Sequence, residues 1–351
     1  MTTADGAAGS LVLRFPDPER RLTGVRLVTE LFKREPPRML GQRSDGTWEL
    51  ALRDLPVDRL EYQLELVGAD GTAKLALDPA AGVVEGPFGA KSSLELDGYD
   101  PPDWLEEDAP AGLLEPLDLP SRTLRAQVTG LLWSAPGLDP DEPAPLLVVH
   151  DGPEYAEYSL LVRFLDVAAA RGEIRPHRAA LLAPVERDEH YSASARYTRA
   201  LTGDLLPALA ELAPAPAELR FRVGMGASLG ALAMLHAQRL EPRAFGGLVL
   251  QSGSFFRPRT DRHERSFGRF ARITRFVGTV LRAQSFARPV PVAMSCGTGE
   301  ENLVNNRAMH AALVRQGYPA TLLELRDGHT WTGWRDALAP TLPRLLADVW
   351  A

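Results

Sequence analysis

The sequence predicts a two-domain α/β protein, in which a small β-sandwich precedes a mostly parallel, doubly wound sheet with helices on both faces. Two patterns indicate this division. Short strands separated by turns fill the chain from Ser10 to about Leu96, whereas apolar strands alternate with helices after Ser121. A segment rich in Pro, Asp and Glu, from Tyr99 to Pro120, is the predicted linker. We therefore expect domains at residues 1–115 and 116–351.

The first domain shows the alternation of half-buried antiparallel strands. Polar residues separate Leu60, Tyr62 and Leu64, and Asp-Gly pairs supply turns. Strands are expected at Val25 to Phe32, Trp48 to Leu52, Leu60 to Val67 and Thr72 to Leu77. An immunoglobulin-like sandwich fits this pattern. The motifs Asp45-Gly46-Thr47-Trp48, Leu55-Pro56, Glu61-Tyr62 and Asp78-Pro79 resemble the early-set sandwich that precedes catalytic domains in glycogen-branching enzymes and enterochelin esterases.

Two aromatic residues of this domain have alternative interpretations. Trp48 and Tyr62 form either a platform that binds a sugar or part of the buried core.

The second domain alternates strands and helices. Pro145 to Val149 is a continuous apolar run, typical of a strand buried on both faces. Further strands are expected at Arg122 to Trp133, Arg178 to Pro184, Arg220 to Gly224, Phe245 to Gln251, Val290 to Cys296 and Ala320 to Leu325. Helices are expected at Leu160 to Ala170, Ala195 to Leu212 and Asn305 to Arg315, and after Ser228 as far as Leu240. Sites in such sheets lie at the carboxyl ends of the strands.

Composition excludes several classes of protein. A net charge of −7 argues against a surface built for nucleic acid. The sequence has no apolar run of membrane-spanning length and no secretory signal in Met1 to Glu19, so a cytoplasmic protein without a membrane partner is expected. A single cysteine, Cys296, excludes an intrachain disulfide framework and a multi-cysteine metal site, and its apolar surroundings indicate a core residue.

Ser228 is the candidate nucleophile. Gly226 and Gly230 flank it between an apolar run and a segment rich in Ala, Leu and Met, which is the strand, sharp turn and helix of a nucleophile elbow. Residues two before and two after the serine must be small because the strand and helix backbones pass close together there.

A serine needs a base and an orienting carboxylate. His236, His263, His310 and His329 follow Ser228 in the chain. His329 is preferred because it lies in a loop between a predicted strand and the final helix, whereas His236 and His310 fall within helices. Glu300 is the preferred acid, with Glu301 and Asp327 as alternatives.

The oxyanion hole requires two N–H donors. Leu229 at the start of the elbow helix is one, and Asp151 or Gly152 after the apolar Leu146 to Val149 strand is the other. The imidazole of His150 is interpreted as structural.

These motifs resemble the putative-esterase family of α/β-hydrolases, in its enterochelin esterase branch. The resemblance also includes His150-Asp151-Gly152-Pro153-Glu154-Tyr155, Gln251-Ser252-Gly253-Ser254-Phe255-Phe256, Gly328-His329 and Trp334. The resemblance covers nearly the whole chain and implies a serine esterase with Ser228, Glu300 and His329 as nucleophile, acid and base. The sequence departs from the family pattern at Ala231, where a glycine is common, and at Glu301-Asn302, where the siderophore enzymes often have a proline. The resemblance also implies a serine–histidine dyad as an alternative, because some siderophore esterases have no acid.

An unusual concentration of charge follows the Gln251 to Phe256 motif. Seven arginines lie between Arg257 and Arg275, against Asp261 and Glu264. One interpretation is a lid that binds an anionic ligand such as a ferric catecholate, with Arg262, Arg265, Phe255 and Phe256 in contact with the substrate. The alternative is an amphipathic helix. It would place Phe267, Phe270, Ile273 and Val277 inward and Arg262, Arg265, Arg269 and Arg272 toward water.

Three functions follow. The leading prediction is a serine esterase that opens ester or lactone bonds of a siderophore such as enterobactin. The alternatives are a feruloyl, acetyl or general carboxylesterase and a non-catalytic ligand-binding homologue. Serine acyl transfer needs no metal or organic cofactor, so none is predicted.

Overall fold

The computed structural model describes residues 3–4, 10–32 and 35–351, which form two compact units. The sandwich unit comprises Met1–Pro101 and two loops from later in the chain, Gly297–Glu301 and Glu324–Gly333. The α/β unit comprises Pro102–Cys296, Asn302–Leu323 and Trp334–Ala351. Within the described ranges, we find no helix with the length and apolar character that a membrane crossing requires.

Among its described residues, the sandwich unit contains ten strands, and these strands pair antiparallel. They are β1 Thr3–Ala4, β2 Leu11–Phe15, β3 Leu22–Val28, β4 Arg38–Met39, β5 Gly41–Gln42, β6 Trp48–Leu52, β7 Arg59–Gly68, β8 Ala73–Ala76, β9 Gly82–Val84 and β10 Lys91–Glu95. One sheet has the order β1-β2-β6-β5, and the other has β4-β3-β7-β10-β9 with β8 also on β7. Both sheets contribute side chains to one core, so they form a β-sandwich. The immunoglobulin type stays a prediction.

The aromatic residues Trp48 and Tyr62 belong to this core. They are 7% and 0% exposed. The Trp48 indole N–H donates to Asp17 at 3.3 Å, and the Tyr62 hydroxyl donates to Asp78 at 2.5 Å. A buried ring has no free face to offer a sugar, so the core interpretation is confirmed and the platform is wrong.

The local sequence signals located four of these strands, β3, β6, β7 and β8. The prediction for β6 matches its bounds, and the turn at Gly46 has a φ of 87°, which glycine adopts readily. The strand expected at Val25 to Phe32 is shorter, because β3 ends at Val28 and Glu30–Phe32 is a 3₁₀ turn.

The α/β unit is built on an eight-stranded sheet. Its strands are β11 Leu113–Ser121, β12 Ala126–Ser134, β13 Leu146–His150, β14 Arg178–Leu182, β15 Arg222–Ala227, β16 Gly247–Gln251, β17 Val292–Gly297 and β18 Ala320–Leu325. The order is β11-β12-β14-β13-β15-β16-β17-β18. Pairing is antiparallel from β11 to β14 and parallel from β14 to β17, so the predicted mostly parallel sheet is confirmed. The five residues of β13, β14 and β16 are all buried, as expected of central strands.

Helices connect these strands. They are α1 Gly152–Tyr158, α2 Leu161–Ala170, α3 Arg187–His190, α4 Ala195–Ala200, α5 Leu206–Leu212, α6 Leu229–Leu240, α7 Phe270–Arg282, α8 Leu303–Arg315, α9 Trp331–Asp336 and α10 Leu338–Trp350. The predicted helix from Ala195 to Leu212 is α4 and α5 joined by a π-helical segment, Leu201–Leu205. Cys296 is buried, as predicted of a core residue.

The predicted linker is too long. Its last part, from Leu113 onward, belongs to β11 despite Pro116 and Pro120. Strand β11 is at the edge of the sheet and pairs only with β12. Proline lacks an N–H but is tolerated at an edge, because one side of the strand needs no partner.

Candidate active site

Ser228 lies at the turn between β15 and α6, with φ 54° and ψ −121°. A positive φ is costly for a residue with a side chain, and such strain is concentrated at functional sites. A Cβ atom on Gly226 would lie 2.6 Å from the backbone carbon of Gly230, and one on Gly230 would lie 3.1 Å from Cβ of His150. The expectation that both positions must be small is therefore confirmed.

The neighbouring strand holds the serine in place. The Ser228 N–H donates to the Gln251 carbonyl at 2.9 Å, and its own carbonyl accepts from the Ser254 N–H at 3.1 Å. The Ser228 and Ser254 hydroxyl oxygens are 3.0 Å apart. Sequence reasoning missed this contact. The available signal was that Ser254 follows the strand after the elbow, and β15 and β16 are neighbours in the sheet.

The second candidate oxyanion donor lies after β13. Asp151 has a left-handed backbone, with φ 52°, and its N–H donates to the Tyr191 hydroxyl at 3.4 Å. Its buried carboxylate accepts two hydrogen bonds from Arg187, both 2.8 Å long. A Cβ on Gly152 would lie 2.2 Å from the backbone of Leu181, so only glycine fits there. The oxyanion role of Leu229, Asp151 and Gly152 stays a prediction.

Arg187 is a residue that the sequence analysis did not single out. Its guanidinium group donates two hydrogen bonds to the Asp151 carboxylate, one to each oxygen. This ion pair connects α3 to the turn at the start of α1.

His150 is structural, as predicted. Its side chain is fully buried, and burial lowers its pKa to about 4, so it is neutral at pH 7. Nδ1 lies 3.1 Å from the Gly230 carbonyl, which can only accept, so Nδ1 carries the proton. Nε2 then accepts from the Tyr197 hydroxyl at 2.8 Å. The imidazole thus links β13 to the first turn of the elbow helix.

Glu300 and His329 contact each other within the sandwich unit. Glu300 Oε2 lies 2.7 Å from His329 Nδ1, and Glu300 Oε1 accepts from the Gly297 N–H at 2.7 Å. The Glu300 side chain is 1% exposed and that of His329 is 29% exposed. Because a carboxylate accepts, Nδ1 carries the proton and Nε2 carries the lone pair. This is the tautomer that a general base requires.

The two alternative acids are placed differently. Asp327 forms a buried ion pair with Arg59 at 2.7 Å and accepts from the Gly328 N–H at 2.6 Å. Burial raises the pKa of Asp327 to about 6, against the opposing effect of Arg59. Glu301 is partly exposed. Glu300 forms the 2.7 Å hydrogen bond to the imidazole of His329.

Two further histidines have packing roles. His236 Nδ1 lies 2.8 Å from the Thr198 hydroxyl, and His310 Nε2 lies 3.1 Å from the Ala320 carbonyl. Both lie in helices, as predicted.

The arginine-rich segment divides into two parts. Arg262 and Arg265 are exposed on a 3₁₀ helix, Arg262–Ser266. Its preceding residue, Asp261, is buried and accepts from Asn305 at 2.9 and 3.0 Å, which anchors the segment to α8. The substrate role of the two arginines stays a prediction.

The second part is amphipathic helix α7, with Ile273 and Val277 buried. Arg269 and Arg272 do not simply face water: both form ion pairs with Glu189, so that part of the helix prediction is corrected. The single Glu189 carboxylate is shared by the two guanidinium groups, so it compensates part of their positive charge.

Only one of the two phenylalanines proposed to contact substrate has any exposed surface. Phe255 is 0% exposed and packs in the main core, so it is a packing residue and its predicted contact is wrong. Phe256 is partly buried and its ring stacks on Phe270 at 6.1 Å, and its substrate role stays a prediction.

The chain resembles known esterases in sequence and in structure. No family model matches it. The iron(III) enterobactin esterase of Dickeya dadantii (strain 3937) is 30% identical over an alignment of 235 positions, and the match covers 61% of this chain and 53% of that protein. The chain thus matches about half the length of this curated relative. Enterobactin esterase of Shigella flexneri, solved in the presence of enterobactin, superimposes with a TM-score of 0.75 at 19% identity, over 97% of this chain and 92% of that one.

Two other solved structures extend the comparison. Ferric enterobactin esterase of Salmonella typhimurium has a TM-score of 0.78 at 20% identity, over 100% of this chain and 97% of that one. A ferulic acid esterase has a TM-score of 0.57 at 18% identity, over 68% of this chain and 99% of that one.

The fold and the strained serine turn define an α/β-hydrolase-type protein. The chain is similar in sequence to an iron(III) enterobactin esterase over part of its length, and its fold is similar to those of solved enterobactin esterases, so the resemblance inferred from its motifs is confirmed.

Proposed function

We propose that the protein is a serine esterase that hydrolyses a carboxylic ester or lactone through an acyl-enzyme. The observation that carries this proposal is the backbone of Ser228, whose φ of 54° and ψ of −121° form a sharp turn between a buried strand and a helix. Two glycines that cannot carry a Cβ without close contacts surround it. A protein that only bound a ligand would have no need to maintain this strain.

The proposed residues have complementary roles in acylation. The Ser228 hydroxyl attacks the ester carbonyl carbon while His329 Nε2 accepts its proton. Glu300 stabilises the imidazolium through the 2.7 Å hydrogen bond to Nδ1. The N–H groups of Leu229 and Gly152, or Asp151, stabilise the oxyanion. The hydrogen bond from the Asp151 N–H to Tyr191 makes Gly152 the preferred second donor.

Acylation ends when the imidazolium gives its proton to the leaving alcohol and the acyl-enzyme forms. In deacylation, His329 takes a proton from a water molecule that attacks the acyl carbon. Collapse of the second tetrahedral intermediate breaks the bond between the acyl carbon and Ser228, the imidazolium returns its proton to the Ser228 oxygen, and the acid is released. Each step moves one proton and one acyl group, so no metal or organic cofactor is required.

Sheet topology supports joint action of these loops. The turn after β15 carries Ser228, the loop after β17 carries Glu300, and the loop after β18 carries His329. Their chain order of serine, acid and histidine is that of α/β-hydrolases.

For the substrate, we propose a siderophore ester such as ferric enterobactin, hydrolysed in the cytoplasm. Support comes from the curated relative, an iron(III) enterobactin esterase. The exposed Arg262 and Arg265 provide positive charge that suits an anionic ferric catecholate. Feruloyl or acetyl esters on a glycan are less favoured, because Trp48 and Tyr62 are buried.

The test compares the wild type with Ser228→Ala and with Ser285→Ala, which makes the same change at an exposed serine. Hydrolysis of a p-nitrophenyl ester and labelling by a fluorophosphonate should both be lost in Ser228→Ala and retained in Ser285→Ala. Ferric enterobactin and a methyl ferulate are then assayed as substrates. A folded wild-type protein that neither hydrolyses nor labels would overturn the esterase proposal.

A further inference from the structure

Arg59, the first residue of β7, is almost fully buried and contacts the histidine loop. Its side chain is 2% exposed. Nη2 donates to Asp327 Oδ2 at 2.7 Å and to the Thr330 hydroxyl at 3.0 Å, and Nη1 donates to Glu61 at 2.5 Å. Asp327 and Thr330 flank His329 in sequence. One guanidinium therefore holds both sides of the loop that carries the proposed base.

Stability alone is a poor explanation for this cluster. The Glu61 and Asp327 side chains are 9% and 8% exposed, so three charged groups have lost most of their hydration. Arg59 Nε is also buried without a hydrogen-bond partner in the described part of the chain. Buried ion pairs seldom stabilise more than apolar residues of the same volume, although they can fix one geometry. The cluster is better explained by its position against the loop that carries His329.

The residues next to Arg59 hold the same two loops. The Asp58 N–H donates to the Arg326 carbonyl at 2.7 Å, and the Arg326 guanidinium donates to Asp58 at 2.7 Å and to the Leu55 carbonyl at 2.9 Å. The Thr298 hydroxyl donates to the Pro56 carbonyl at 2.5 Å. Thr298 belongs to the loop of Glu300, and Arg326 to the loop of His329. Residues 55–59, which lead into β7, therefore hold both the loop of Glu300 and the loop of His329.

Within the histidine loop, the partners of Arg59 also fix the backbone conformation by hydrogen bonds to its N–H groups. Asp327 accepts from the Gly328 N–H at 2.6 Å, and the Thr330 hydroxyl accepts from the Gly333 N–H at 3.0 Å. Asp327 without its cation would be an unpaired carboxylate two residues from His329. Such a charge would both distort the loop and compete with Glu300 for the imidazolium.

We infer that Arg59 is a positioning residue for His329, so that the β-sandwich takes part in catalysis by fixing the base. This inference rests on the proposed esterase function. Arg59 touches no reacting atom in this scheme. It acts through Asp327 and Thr330, which shape the loop, and it keeps the Asp327 charge away from the imidazole.

The test is the rate of fluorophosphonate labelling and the separate kcat and KM for a p-nitrophenyl ester, in Arg59→Met and Arg59→Lys. A misplacement of about 1 Å at a reacting group can reduce the rate about 100-fold. We expect kcat and the labelling rate to fall about 100-fold in Arg59→Met with KM changed less than about threefold, and to fall less in Arg59→Lys. The matched control is Arg26→Met, which removes the partner of Glu65 on the same sandwich.

Arg59→Lys keeps the positive charge and is the variant to use if Arg59→Met does not fold, as judged by near-ultraviolet circular dichroism. A folded Arg59 variant with the wild-type kcat and labelling rate would overturn the inference. So would a loss confined to KM. If the wild type itself is not labelled, the proposed function fails first, which separates the two outcomes.

Discussion

The Oε2 atom of Glu300 and the Nδ1 atom of His329 lie 2.7 Å apart, and the other carboxylate oxygen is held by the Gly297 N–H. Both oxygens of a nearly buried carboxylate are thus committed, one to the backbone and one to the imidazole. This geometry fixes the tautomer of His329 and distinguishes Glu300 from Glu301 and Asp327 as the candidate acid.

Replacing Glu300 with glutamine should abolish most of the activity. An amide that presents its NH₂ group to Nδ1 selects the wrong tautomer, which in a serine protease costs about 10⁴-fold in kcat. We expect a fall in kcat of about 1,000- to 10,000-fold in Glu300→Gln. Steady-state hydrolysis of a p-nitrophenyl ester measures it. A larger effect in Glu301→Gln than in Glu300→Gln would assign the acid to Glu301 instead.

The elbow glycines should differ in how much they tolerate a methyl group. In Gly226→Ala, the new Cβ meets backbone at 2.6 Å, whereas in Gly230→Ala the closest atom is at 3.1 Å. Overpacking costs about 1–3 kcal/mol, so Gly226→Ala should lower the free energy of unfolding by about that amount and Gly230→Ala by less. Guanidinium denaturation measures both.

Gly203→Ala is the control for this pair, because nothing lies within 4 Å of the added Cβ. It should leave the free energy of unfolding unchanged or raise it by up to about 1 kcal/mol. Equal losses in Gly226→Ala and Gly203→Ala would contradict the steric argument.

Acid should destabilise the fold through buried histidines. Burial lowers the pKa of His177 to about 4, whereas the unfolded value is about 6.5. Between these values the unfolded state binds more protons, so the free energy of unfolding falls as the pH falls from about 6.5 to 4. One such group contributes about 1 kcal/mol per pH unit.

His177 lies between Trp133 and Trp350, with ring centroids 5.0 Å from each, so phenylalanine suits its apolar surroundings. His177→Phe should therefore reduce the slope of stability against pH over that range. Thermal melts from pH 4 to 7 measure the slope. An unchanged slope in His177→Phe would show that His177 does not titrate in this way.

Charge reversal on the 3₁₀ helix should discriminate between substrates. In Arg262→Glu/Arg265→Glu, we expect a higher KM for an anionic ester, about tenfold at low salt, with little change for a neutral ester. The difference should shrink at high salt because ions screen exposed charges. Arg199→Glu/Arg243→Glu is the control, since it changes the net charge equally at two other exposed positions. Equal effects of the two double variants, or on the two esters, would rule out a local binding role.

Many elements could be predicted because their signals are local. The bounds of β6 and β18 are those predicted from their apolar residues. Gly226, Ser228 and Gly230 indicated the elbow because its steric requirement concerns the residues two positions before and after the serine. Strand β11 could not be predicted in this way. Its prolines argue against a strand unless it is known to lie at a sheet edge, and edge position is a property of the whole sheet.

The sequence by itself determined the alternation of strands and helices, the serine turn and the short set of candidate acids and bases. These follow from side-chain periodicity and backbone sterics within a few residues. Only the tertiary structure decided which carboxylate contacts His329, that Phe255, Trp48 and Tyr62 are buried, and that Arg59 pairs with Asp327 across 268 positions of sequence. Such pairings depend on three-dimensional proximity and desolvation, which neither spacing nor residue type encodes.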